Sequence, residues 1–133
     1  MRVQPYLSFE GRCEEALEFY RRAVGAEVTK LIRFSESPDP ASVPPGTADK
    51  VMHSSFRIGE SELGATDGEC TGSGSFAGIS LTLAGKDDAD TARLFDALAD
   101  GGKIEMPLTP TFFSSSFGML SDRFGVRWML MTE

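Results

Sequence analysis

The order in which strand-like and helix-like segments follow one another runs through this 133-residue chain twice, and that repeat narrows the choice of folds more than any single motif. Val3 to Phe9 alternates apolar and polar side chains at the period of a strand. From Gly11 onward the apolar residues fall at Cys13, Ala16, Leu17, Tyr20, Ala23 and Val24, which share one helix face, and Gly25 follows them as a helix stop. Glu14 and Glu15 near the start and Arg21 and Arg22 near the end suit the helix dipole. Strands are predicted over Val28 to Phe34, Lys50 to Ile58 and Ser61 to Asp67, the last two forming a hairpin at Gly59-Glu60. Ser35 to Thr47, with four prolines and a glycine, is predicted to be a loop and could act as a lid.

After the Gly/Ser-rich stretch Gly68 to Ser75 the order begins again. A strand is predicted over Gly78 to Leu83, then a helix from about Asp88 with Ala92, Phe95, Leu98 and Ala99 on one face and a stop at Gly101-Gly102. Lys103 to Leu108, Phe112 to Leu120 and Val126 to Thr132 read as three further strands, the last two joined by the turn Asp122-Arg123-Phe124-Gly125, which the Asp122 side chain would organise. The expected fold is α+β: one domain, 1–133, of two βαβββ modules at about 1–67 and 78–133, joined by a linker at about 68–77. A curved sheet with a helix on one face leaves its other face in need of a partner, and two modules would meet that need by enclosing a central cavity.

Charge and cysteine content narrow the function classes. A net charge of −7 and a pI near 4.7 disfavour nucleic acid and anionic membrane as partners and favour a neutral or cationic ligand, or simply solubility. No apolar run approaches the ~20 residues of a membrane span, and no signal peptide is visible. Cys13 and Cys70 are too few for a disulfide framework and lack CxxC spacing, so a reducing, cytoplasmic compartment is expected. Cys13 lies near a helix N-terminus but at an apolar-face position, which favours packing over reactivity.

Tyr6-Leu7-Ser8-Phe9-Glu10-Gly11, the run from Cys13 to Tyr20, Val51-Met52-His53, and Phe117-Gly118-Met119 through Asp122 to Met129 carry a resemblance over nearly the whole chain. With the repeated element order, they resemble the vicinal oxygen chelate superfamily of glyoxalase I, fosfomycin- and bleomycin-resistance proteins and extradiol dioxygenases, and within it the PhnB-like branch. That branch is also catalogued as demethylubiquinone methyltransferase-like. No glycine-rich nucleotide turn follows a first strand here, so methyl transfer from S-adenosylmethionine is the least expected activity. The resemblance further implies a homodimer.

Enzymes of that superfamily hold a divalent metal with His and Glu side chains from the first and fourth strands of each module. Strand alternation directs Gln4, Tyr6 and Ser8, Glu62, Gly64 and Thr66, Gly78, Ser80 and Thr82, and Arg127, Met129 and Met131 to the face opposite the helices. Gln4, Gly64, Gly78 and Met129 then stand where the ligands belong, and none suits a hard cation. A metal centre is therefore not expected unless the strand register slips by one residue, in which case Glu62 could take part.

His53, on the helix-free side of its strand with Ser55 and Arg57, is the candidate acid or base, or else a hydrogen-bonded wall residue. Arg57 and Arg127 could orient an anionic group or form ion pairs with Glu62 or Asp67. Tyr6, Phe112, Phe113, Met129 and Met131 could provide an apolar lining or core packing. The candidate ligand-binding set is thus Gln4, Tyr6, Ser55, Arg57, Glu62, Ser80, Phe113, Arg127 and Met129. The expected function is binding of a small organic molecule without the usual metal, with a proton-transfer or lyase-type step through His53. The alternatives are a noncatalytic drug-sequestering protein of the bleomycin-resistance type and a metal-dependent lyase, isomerase or dioxygenase with displaced ligands.

Overall fold

A computed structural model describes residues 1–39, 41 and 43–133. Pro40 and Ser42, within the expected Ser35 to Thr47 loop, lie outside the described residues. The chain forms two compact units, Met1–Gly74 and Ser75–Glu133, and each is a four-stranded sheet with one helix on one face. The fold is α+β, two βαβββ modules in succession.

In the first unit β1 (Tyr6–Ser8), α1 (Cys13–Val24), β2 (Glu27–Arg33), β3 (Val51–Ile58) and β4 (Ser61–Thr66) give the strand order β1-β4-β3-β2, with β1 parallel to β4. Gly25 ends α1 in the left-handed region at φ 71°, its N–H bonded to the Arg21 carbonyl, where a Cβ would be strained. The N-terminus of α1 is capped from a distance: the buried Asp67 carboxylate accepts from Cys13 N and Val51 N, each at 2.7 Å. Cys13, Leu17 and Tyr20 of α1 are buried, as are Ser54, Phe56, Leu63 and Ala65 of the sheet, and the Tyr20 ring stacks on Phe56. Ser54 is the polar member of this core. Its hydroxyl donates to the Ala65 carbonyl at 2.8 Å, so its burial leaves no donor unsatisfied.

In the second unit β5 (Leu81–Gly85), α2 (Asp88–Ala99), β6 (Lys103–Thr109), β7 (Phe117–Ser121) and β8 (Arg127–Thr132) repeat the order as β5-β8-β7-β6. Asp87 caps α2 through Asp90 N. The Asp122 carboxylate accepts from Phe124 N, Val126 N and Trp128 Nε1 at 2.9, 3.1 and 2.9 Å, which closes the turn between β7 and β8.

Three strands are shorter than their patterns suggest. β1 keeps only three residues; Pro5 has no N–H to offer a ladder, and Val3 is exposed. β5 starts at Leu81, because Gly78 takes a turn at φ 80°, and Ile79, expected in the core, is 65% exposed. β7 starts at Phe117, not Phe112. The serines before it take over the backbone: Ser114 Oγ donates to the Thr132 carbonyl at 2.6 Å, and the Ser114 N–H bonds Thr111 Oγ1, local bonding that competes with a strand ladder.

Both modules also carry an irregularity that alternation alone does not predict. In β2 the register steps from Val28 opposite Phe56 to Lys30 opposite Ser55. In β6 it steps from Ile104 opposite Leu120 to Met106 opposite Met119. Each is a β-bulge, with two residues against one, at the same place in its module. Among the described residues no helix is long and apolar enough to cross a membrane.

Candidate functional site

In each unit one sheet face packs on the helix, leaving the other as the place where side chains of several strands can meet a ligand. In the first unit that face has three cross-strand rows set by the register. Glu62 and Glu27 flank Arg57; Tyr6, Gly64, Ser55 and Lys30 form the next row; Ser8 lies beside Thr66, and His53 lies opposite Ile32. Ion pairs bind the first row together, Arg57 with Glu27 at 3.0 Å and Glu62 with Arg2 at 3.5 Å. The expected partners of Arg57, Glu62 or Asp67, are thus replaced by Glu27, which only the pairing of β2 with β3 brings into reach.

The centre of this face is Tyr6 and His53. Their rings stack at 5.6 Å and 11°, and the Tyr6 hydroxyl lies 2.9 Å from His53 Nδ1. Gly64 makes room for this: a Cβ there would fall on the Tyr6 ring. The ring is 52% exposed, yet desolvation around the phenol raises its pKa above the ordinary value, against a lowering contribution from Thr66. When the phenol donates to Nδ1 of a neutral imidazole, the imidazole proton is on Nε2; when Nδ1–H donates to the phenol oxygen, Nε2 is an acceptor. An imidazolium carries the Nε2 proton as well. Nε2 makes no hydrogen bond among the described residues, so it is open to a ligand, as a donor in the imidazolium and in the tautomer whose Nδ1 accepts from Tyr6.

The second unit has a different face. Met119 lies between Met106 and Met129, Thr82 lies opposite Met129, and Phe117 lies opposite Met131. Four of the chain's six methionines thus gather here, all half-buried. At one end Arg127 pairs with Glu105 at 3.1 Å, and Glu105 also accepts from Ser121. Among the described residues Arg127 Nε is buried without a hydrogen-bond partner, as is Oε1 of Gln4 in the first unit.

The sequence-predicted residues are therefore unevenly placed. Tyr6, Ser55, His53, Arg57 and Glu62 share one face of the first unit, and Gln4 lies just before β1. Met129 and Arg127 share a face of the second, and Ser80 lies just before β5. Phe113 is not on a strand; it packs edge to face against Phe112 and Phe117 in the loop before β7. Gly78, expected at a ligand position, lies outside β5, and its place in the row opposite Met129 belongs to Thr82. Cys13 is fully buried, and desolvation pushes its thiol up to about 12. Among the described residues no three His, Cys, Asp or Glu side chains gather as a metal site would require. Lys30 went unselected; its signal, a bulge, is visible only in the pairing.

This repeated architecture finds its counterpart among known proteins. Residues 1–131 match the family described as 3-demethylubiquinone-9 3-methyltransferase. The chain belongs to this PhnB-like family. Escherichia coli YjdN is 37% identical over 138 residues, covering 98% of this chain and 94% of that protein. The crystal structure of PA1353 from Pseudomonas aeruginosa is 39% identical with a TM-score of 0.85, over 100% of this chain and 98% of the other. The PhnB protein of Bacillus cereus is 30% identical with a TM-score of 0.83, over the whole of both chains. A glyoxalase-related enzyme from Fulvimarina pelagi, 15% identical at a TM-score of 0.65 over 100% of this chain and 88% of its own, shares the fold. The PhnB-like protein is thus built on the glyoxalase scaffold.

Proposed function

We propose that this PhnB-like protein binds a small organic molecule at the helix-free face of its first unit without the superfamily's divalent metal, with His53 as hydrogen-bond donor and acid. The observation that carries this reading is the stacked Tyr6–His53 pair seated over Gly64, with Nδ1 engaged by the phenol. A histidine held this way has one ring nitrogen committed to a partner and the other available to a ligand. Taken by itself, the second unit offers on its own helix-free face an apolar, methionine-rich surface that adapts to varied shapes.

The donor set does not fit a hard cation. In the rows where the resemblance would put ligands stand Tyr6 beside Gly64 and Thr82 beside Met129, with Gln4 close by. A phenol, a hydroxyl, an amide and a thioether offer no carboxylate or free imidazole for Mg, Mn or Zn. On this proposal the family's methyltransferase description is a name and not an activity. In support, each sheet is a four-stranded mixed one, unlike the open parallel sheet with a glycine-rich turn that holds a nucleotide.

We also assign residues 1–133 as one working domain in the cytoplasm, supported by two free cysteines, and as a homodimer, supported by the exposed Phe112 and Phe113.

The test is metal analysis of protein purified without chelator, calorimetric titration with Ni, Zn, Mn and Fe(II), and an NMR screen of small organic compounds against wild type and His53→Ala. No saturable metal and compounds that shift Tyr6 and His53 resonances support the proposal. One tight metal equivalent per chain, or compounds that bind His53→Ala equally well, overturns it.

A further inference from the structure

The helix-free face of the first unit is more positive than the chain as a whole. Its charged residues pair off, Arg57 with Glu27 and Arg2 with Glu62; the Glu10 carboxylate at the Ser8 end is held by Ser8 Oγ and the Glu69 and Thr71 N–H groups, and at the other end one cation remains. Lys30 is exposed and its ammonium has no hydrogen-bond or ion-pair partner among the described residues. The bulge in β2 accounts for its position. With Val28 opposite Phe56 on the helix side, simple alternation would bring Thr29 to the open face. The extra residue instead sets Lys30 opposite Ser55, and Thr29 spends its hydroxyl on the Ser55 carbonyl at 3.2 Å. Ser55 Oγ makes no hydrogen bond among the described residues, and His53 Nε2, two residues along the same strand face, is a donor in the imidazolium and in the tautomer whose Nδ1 accepts from Tyr6.

We propose that the ligand presents a carboxylate or similar oxyanion to this row, held by the Lys30 ammonium, the Ser55 hydroxyl and His53 Nε2–H. The assignment rests on the small-molecule reading above and adds the ligand's charge class. Three donors and one unpaired positive charge on one strand pair match an anionic head, whereas the net charge of −7 taken alone favours a cation. Charge-assisted hydrogen bonds are stronger than neutral ones, so the ammonium contact is the discriminating one.

Benzoate, its neutral isostere benzamide and the cation benzamidinium, titrated into the whole isotopically labelled protein at neutral pH, test this. Benzoate is expected to bind tightest, with shifts at Ser55 and His53. Lys30→Ala should weaken benzoate roughly tenfold or more and leave benzamide unchanged, and Lys30→Arg should restore most of the loss. If benzamide or benzamidinium binds at Tyr6 and His53 as well as benzoate does, or Lys30→Ala changes nothing, the oxyanion assignment falls while the binding site stands, and Lys30 is a guard on an edge strand. If none of the three shifts Tyr6 or His53, both proposals fall.

Discussion

Single side chains carry much of this structure's chemistry, and three of them invite direct measurement. Cys13 is fully buried beside Ser54, and its thiol is pushed up to about 12. An unfolded cysteine loses its proton near pH 8.5–9, so above that pH the unfolded chain binds fewer protons than the folded one. Stability should therefore be fully present below about pH 9 and fall by about 1.4 kcal/mol per pH unit until the folded thiol itself titrates. Urea unfolding of wild type and Cys13→Ala at pH 8 to 11 should show a steeper decline in wild type, the smaller slope left in the variant coming from Cys70 and Tyr6, which are also raised. Gly64 makes a second test. Gly64→Ala should cost about 1–3 kcal/mol of stability and displace the Tyr6 ring, seen as loss of the ring-current shift on His53. In Asp67, one carboxylate holds two backbone N–H groups of separate elements. Asp67→Asn keeps one acceptor and turns a donor toward the other N–H, with an expected loss of about 2–4 kcal/mol in urea unfolding.

At the scale of elements, both helices and the hairpins were legible, because their apolar spacing and glycine stops are local signals. The strands that came out short were misread for equally local reasons. Pro5, the left-handed Gly78 and Ser114 each remove or redirect a backbone group, and side-chain alternation does not register that. The Tyr6–His53 face was legible to the extent that both residues fall on the open side by parity. Their contact depends on β1 and β3 both flanking β4, and ion-pair partners such as Glu27 for Arg57 depend on register. A bulge left no trace in composition, so Lys30 stayed hidden. In α2, Gly85 allows Thr91 to come against β5, where its hydroxyl bonds Thr132 at 2.7 Å. Gly85→Ala should push the helix away and lower the midpoint of thermal unfolding, whereas Thr91→Ser, which keeps the hydroxyl bonded to Thr132, should cost much less.

The molecule as a whole is acidic, and its ion-paired surface carboxylates give its stability a modest dependence on low pH. Hydrogen bonds from Arg33 lower Glu14, those from Arg21 lower Glu18, and Asp90 is lowered by the Lys86 N–H and Arg93. A carboxylate whose folded pKa is depressed contributes stability above its unfolded value, and loses it as pH falls through the folded one. Thermal midpoints should therefore be level from neutrality to about pH 4.5 and then decline. Glu14→Gln should shallow that decline, and a midpoint that rises below pH 4 would contradict the assignment.

The paired bulges have a wider consequence. In a regular strand, exchanging which residues face outward requires rewriting every second position, core included. Here the outer strand of each module gains or loses sidedness through a single inserted residue, while the helix-packed layer keeps its partners. Because both modules carry the extra residue at the same place, the contrast between a polar, ring-bearing face and a sulfur-rich one lies in the residues that stand on the strands beside it, while the interior is left alone. The insertion decides which positions of the outer strand are on display, and substitution at the displayed positions decides the chemistry each module offers.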